Sequence, residues 1–203
     1  MKGLLRKDLY MAAAYFRMFL LLVGVFLVVG FFAKEASTFI VIYPMIIGMM
    51  LPVSLLSYDE RFRWNRSCDA MPCSRAQVVS AKYLLTLISV LLIFALTMLG
   101  QWLRLGPDGR LDELAALAPL LLGLGLVGPA LLLPIIFRLG MEKGRLAYFV
   151  AVGVVVAVGV GVGRELDPAA PVSVPLALPI AGSFLLFGLS WLLSIKLYET
   201  REL

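Results

Sequence analysis

Histidine is absent from this chain of 203 residues, and six stretches of roughly membrane-spanning length contain not one Asp, Glu, Lys or Arg. These are residues 18–33, 36–58, 83–103, 114–137, 146–163 and 172–195. Both absences exclude chemistry. Intramembrane metalloenzymes and proteases need His, paired carboxylates or an activated nucleophile within the spans, and this sequence has no His anywhere and no carboxylate in its spans. A charge at the bilayer centre costs at least ~2.5 kcal/mol and is kept there mainly to carry protons, ions or substrates. Ion-coupled transport through an intramembrane carboxylate is therefore disfavoured, leaving only discontinuous helices as an ion site. No Gly-x-x-x-x-Gly-Lys-Ser/Thr segment occurs, so the chain has no P-loop for ATP. Its two cysteines, Cys68 and Cys73, have no His partner and make a poor metal signature.

Hydrophobic residues make up 62% of the chain and charged residues 15%, too few to cover a water-soluble domain of this size. An apolar core about 30 Å thick needs ~20 helical residues. Most of the six stretches suffice; the first and fifth are short. The expected fold class is an all-α integral membrane protein with six transmembrane helices, forming one transmembrane domain over residues 1–203. The longest polar segment, residues 59–82, is too short to fold around its own core and must dock on something.

Lys and Arg divide unevenly between the two sides. One side holds Lys2, Arg6, Lys7, Arg17, Arg61, Arg63, Arg66, Arg75, Lys82, Arg138, Lys143, Arg145, Lys196 and Arg201; the other holds Lys34, Arg104, Arg110 and Arg164. The positive-inside rule then predicts that both termini are cytoplasmic. The same topology accounts for the net charge of +5 without nucleic acid as a partner. Residues 1–17 read as an interfacial amphipathic helix. At about 100° per residue, Leu4, Leu5, Leu9, Met11, Ala12, Tyr15 and Phe16 share one half of the wheel, and Lys2, Arg6, Lys7 and Arg17 the other. Asp8 falls amid the apolar arc, as a partner for a cation from another segment or as the mark of a helix shifted in register.

The segment 59–82 reads DERFRWNRSCDAMPCSRAQVVSAK. Pro72 disfavours helix just before it, and Ser74 with Gln77 makes a capping box, so a helix is predicted to start near Ser74 and to run into the third span. It would project about 12 Å below the membrane at 1.5 Å per residue. Phe62, Trp64 and Met71 are large apolar groups among charges. They fit either a headgroup-resting surface or a docking surface for a cytoplasmic protein.

The KGLLRKDLY start, the six spans and a loop carrying Tyr58, Asp59, Glu60, Trp64, Arg66, Met71, Pro72, Ser74, Arg75, Gln77, Lys82 and Tyr83 resemble the membrane subunit of type-2 ABC transporters, in particular the short permeases of bacterial peptide-export systems. Asn65, Cys68 and Cys73 depart from the family pattern. The resemblance implies an ATP-driven exporter of a peptide or other amphipathic substrate in the bacterial cytoplasmic membrane, with no catalytic site or cofactor on this chain. ATP and Mg²⁺ would sit on a separate ABC ATPase, and a second permease chain, identical or similar, would complete the pathway. A coupling segment between Glu60 and Met71 would enter the ATPase, with Glu60, Arg61, Trp64, Asn65, Arg66, Asp69 and Met71 as its contact residues. A sensor or assembly protein that docks a cytoplasmic partner through the same loop is the competing reading.

Residues 164–180 hold Pro168, Pro171, Pro175 and Pro179. They form either a re-entrant element on the outer face, as the resemblance suggests, or a proline-rich loop. Pro119, Pro129 and Pro134 predict bends or a break in the fourth span, and Gly123, Gly125 and Gly128 predict close helix contacts there. Ser54, Ser57, Thr86, Ser89, Thr97, Gln101, Ser183 and Ser190 either line a path or bond to their own helix carbonyls.

Overall fold

The computed structural model describes residues 2–15, 17–32, 38–62, 74–105, 111–141, 143, 144, 146 and 177–199. Among these residues every regular element is a helix. The long ones are α1 (Lys2–Tyr15), α2 (Arg17–Phe32), α3 (Thr38–Arg61), α4 (Arg75–Leu105), α5 (Leu111–Leu139) and α6 (Ala177–Glu199). Among the described residues, four segments are long and apolar enough to cross a membrane: Val41–Arg61, Arg75–Leu103, Leu117–Leu139 and Leu178–Tyr198. The 16 residues of α2 reach only about 24 Å at 1.5 Å each, short of a full hydrocarbon core. The expected fifth span and most of the proline-rich segment lie outside the described residues.

Helix ends follow local chemistry. Ser74 caps α4 as the capping box predicts, its Oγ accepting from the Gln77 N–H at 3.3 Å. At the other boundary Gly140 adopts φ 81° and donates its N–H to the Ile136 carbonyl at 2.8 Å. This is the left-handed glycine stop, which costs a residue with a Cβ more than it costs glycine.

The prolines do not break α3 or α5, which run unbroken through Pro44 and Pro52 and through Pro119, Pro129 and Pro134. One compensation is visible. Pro134 has no N–H for the carbonyl four residues back, and that carbonyl, Ala130 O, instead accepts from Ser190 Oγ of α6 at 2.5 Å. The other polar residues behave more locally: Ser54, Thr86, Ser89, Thr97 and Ser183 each donate to a carbonyl of their own helix.

Packing centres on α5, whose apolar window is 61% buried against 22% for α6. Glycines let its neighbours close in. A Cβ on Gly125 would lie 2.7 Å from both Met45 of α3 and Val90 of α4, and one on Gly128 would lie 2.7 Å from Met49, while Gly123 faces open space. The core joins Val41, Met45, Val79, Val90, Leu121, Leu126, Leu133, Phe137 and Phe187. The contacts fix direction. Met45 with Gly125 and Glu60 with Met141 run α3 parallel to α5; Ala130 with Ser190 and Phe137 with Tyr198 do the same for α5 and α6. Asp59 with Lys82 sets α4 antiparallel to α3, and Phe26 with Tyr43 connects α2 to α3. One end of the bundle therefore gathers Lys7, Arg61, Arg75, Lys82, Arg138, Lys143 and Lys196. It is called the basic end below.

Candidate functional site

At the basic end α1 lies against α2, α3 and α4. It meets the bundle through its charges as much as through its apolar arc. Asp8 is buried, whereas Leu9 and Tyr10 face outward and are exposed. Met11 packs with Leu51, Leu55 and Leu85 just inside. The cation that Asp8 finds is Lys82, at 2.8 Å and 74 positions away in sequence.

Four side chains close a compact charge cluster. Lys82 Nζ lies 2.8 Å from Asp8 Oδ1 and 2.5 Å from Asp59 Oδ2. Lys7 Nζ lies 2.8 Å from Asp59 Oδ1 and 3.4 Å from Asp8 Oδ1. Among the described residues, two cations thus alternate with two carboxylates and their formal charges cancel. Burial demands this: Lys82 is 2% exposed and Asp8 1% exposed, and a lone charge so placed would bear a desolvation penalty of several kcal/mol. Each acidic group touches both lysines, so α1, α3 and α4 are tied at one point. Asp59 and Lys82 also bracket residues 60–81, so their ion pair closes the base of the first basic loop.

The next residue ties that loop to the following one. Glu60 Oε2 accepts the Met141 N–H at 2.7 Å, capping the helical turn that begins after Gly140. Carboxylate at a helix start is favourable for the dipole as well as for the orphan N–H. A cleft of about 500 Å³ opens here, lined by Ser57, Glu60, Arg61, Leu139, Gly140, Met141 and Lys143.

A third cluster sits one residue beyond Lys82. The Tyr83 hydroxyl lies 2.8 Å from Ser190 Oγ and 2.6 Å from Ser194 Oγ. Ser190 spends its proton on Ala130 O, the carbonyl freed by Pro134, so Tyr83 donates toward Ser190, whose backbone carbonyl it also reaches at 3.1 Å, and the Ser194 hydroxyl can donate to Tyr83. Trp191 stacks on the Tyr83 ring at 5.7 Å between centroids and donates Nε1–H to Ser80 at 3.1 Å. This cluster therefore joins α4, α5 and α6 next to Lys82.

Of the sequence-predicted contact residues, Glu60 and Arg61 are described. Glu60 is engaged within the chain, and Arg61 is exposed on the cleft. Phe62 is also exposed. Trp64, Asn65, Arg66, Asp69 and Met71 lie outside the described residues, as do both cysteines. The sequence placed Lys7 on the polar face of the first helix and Asp59 and Lys82 in the loop pattern without pairing them; the signal for the pairing was Asp8, out of place in an apolar arc.

Residues 3–199 match the sequence model of a family described as ABC-2 family transporter protein. The chain belongs to that family. No curated protein and no solved structure gave a significant match. An ABC-2 membrane subunit is the permease component of a type-2 ABC transporter, a transport part rather than a catalytic one, and its family implies a membrane setting and an ABC ATPase partner. In this ABC-2 permease, the buried charge cluster joins the end of α3 to the start of α4.

Proposed function

We propose that this ABC-2 permease is one half of an ATP-driven exporter in a bacterial cytoplasmic membrane. It moves a peptide or other amphipathic substrate outward, energised by a separate ATPase docked on residues 59–82. The observation that carries the reading is the Asp59–Lys82 pair at the loop's base, held with Lys7 and Asp8. A loop hinged on a neutral, buried ion cluster shared by α1, α3 and α4 passes a push from outside the membrane into three helices at once. The excess of Lys and Arg at the same end favours the cytoplasmic side for it.

In this reading Trp64 and Met71 anchor the ATPase, while Arg61, Asn65, Arg66 and Asp69 form the polar surround. Glu60 shapes the loop from within by holding Met141. ATP and Mg²⁺ act on the partner. Because ABC ATPases bind ATP between two nucleotide-binding domains, a working transporter needs two such loops. Native mass measurement of the detergent-extracted, transport-competent complex is expected to find two permease chains with two ATPase chains. A competent particle with a single permease chain would contradict this assembly.

A further inference from the structure

A second feature at the basic end faces outward from the bundle. Between α5 and α6, a groove of about 360 Å³ is lined by Pro134, Ile135, Arg138, Leu139, Leu193 and Leu197. Five of these walls are apolar and one is a guanidinium. The groove has a structural origin: the two helices are drawn together elsewhere by Ser190 on Ala130 and by the Phe137–Tyr198 ring contact, which leave this side open. Leu139 and Leu193 are 44% and 52% exposed, and Arg138 is exposed beside them. Lys196, also exposed, lies on the α6 turn between Leu193 and Leu197.

We propose that this groove is a binding site for one anionic phospholipid of the leaflet at the basic end. Its volume is within the range of about 300–1,000 Å³ typical of small-molecule sites, and its apolar walls suit an acyl chain lying along Pro134 and Leu193. Arg138, at the last turn of α5, stands where the apolar wall gives way to the basic end, the depth of a headgroup. A guanidinium recognises a phosphodiester with two parallel N–H donors, and Lys196 adds a second positive charge near the same rim. A zwitterionic lipid offers the same phosphodiester, but its own ammonium group is repelled by the two positive charges at the rim, so net charge favours the anionic lipid. A second protein chain would need acidic groups aimed at Arg138, whereas anionic lipid is already present along the whole face of a spanning helix. The inference stands on the groove alone and does not depend on the exporter reading.

The test is native mass spectrometry of the complete chain, in its complex, released from nanodiscs that contain equal phosphatidylglycerol and phosphatidylcholine. One phosphatidylglycerol is expected to stay bound preferentially. Arg138→Gln is expected to weaken its retention roughly fivefold, as is Lys196→Gln, from the attraction of one basic residue to an anionic surface. Arg138→Lys should restore part of the retention, and Leu193→Trp should displace the lipid by filling the groove. Thermal unfolding midpoints close to that of the parent should accompany all four variants, since none of these side chains is buried. Equal retention of the two lipids, retention unchanged by Arg138→Gln, or displacement by inorganic phosphate alone would overturn the site. So would a dimer contact that covers the groove and holds no lipid.

Discussion

Lys82→Met is expected to destabilise the permease by about 3–5 kcal/mol, the usual cost of breaking a buried ion pair by removing one partner. The reason is geometric. Lys82 is the more deeply buried of the two cations and lies 2.8 and 2.5 Å from the two carboxylates, and its loss leaves Asp8 and Asp59, among the described residues, to share Lys7. Thermal unfolding in detergent should show the drop. Adding Asp8→Asn to Lys82→Met should recover part of it, because the cluster then returns to one cation and one anion. Contacting residues of this kind depart from additivity by about 0.5–3 kcal/mol, which is large enough to read. An unchanged midpoint for Lys82→Met would mean that the cluster does not hold the three helices.

Trp64→Ala and Met71→Ala address the loop itself. If these side chains are buried in the ATPase, truncation of the tryptophan should cost more than about 2 kcal/mol of association, or about thirtyfold in affinity, with a smaller loss for the methionine. The permease should remain inserted and folded, since neither residue is one of the four charged groups that tie α1, α3 and α4 together. Co-purification of the ATPase with each variant measures the effect. If both variants retain the ATPase and full transport, the docking surface lies elsewhere, and Trp64 rests on lipid headgroups.

Helix positions were legible because they depend on local signals. The start of α4 follows from Ser74 and Gln77, and the runs of uncharged residues mark α3, α5 and the end of α4 to within about three residues and α6 to within about five. Partners were not legible. A helical wheel shows that Asp8 sits in the wrong arc, but a pairing with Lys82 across 74 positions is a fact of tertiary packing that no local pattern encodes. The prolines of the fourth span show the same limit. Each alone argues for a bend or break, yet α5 continues through all three, and at Pro134 the rescue comes from Ser190, far along the chain. Serine in a membrane helix more often bonds its own backbone, and five polar residues here do so. Ser190 differs because a proline on the neighbouring helix left a carbonyl free. Glycine spacing likewise indicated close approach, but only the packing shows that Gly125 and Gly128 receive side chains from α3 and α4 while Gly123 does not.

The central claim is that residues 59–82 face the cytoplasm and carry the ATPase. Cys68 and Cys73 are native thiols within that loop, so a membrane-impermeant, thiol-directed photo-crosslinker tests both parts at once. It should leave intact cells unmodified and, in inverted vesicles, join this chain covalently to an ABC ATPase on illumination. Modification from outside the cell, or adducts with lipid alone while the ATPase is present and active, would contradict the account.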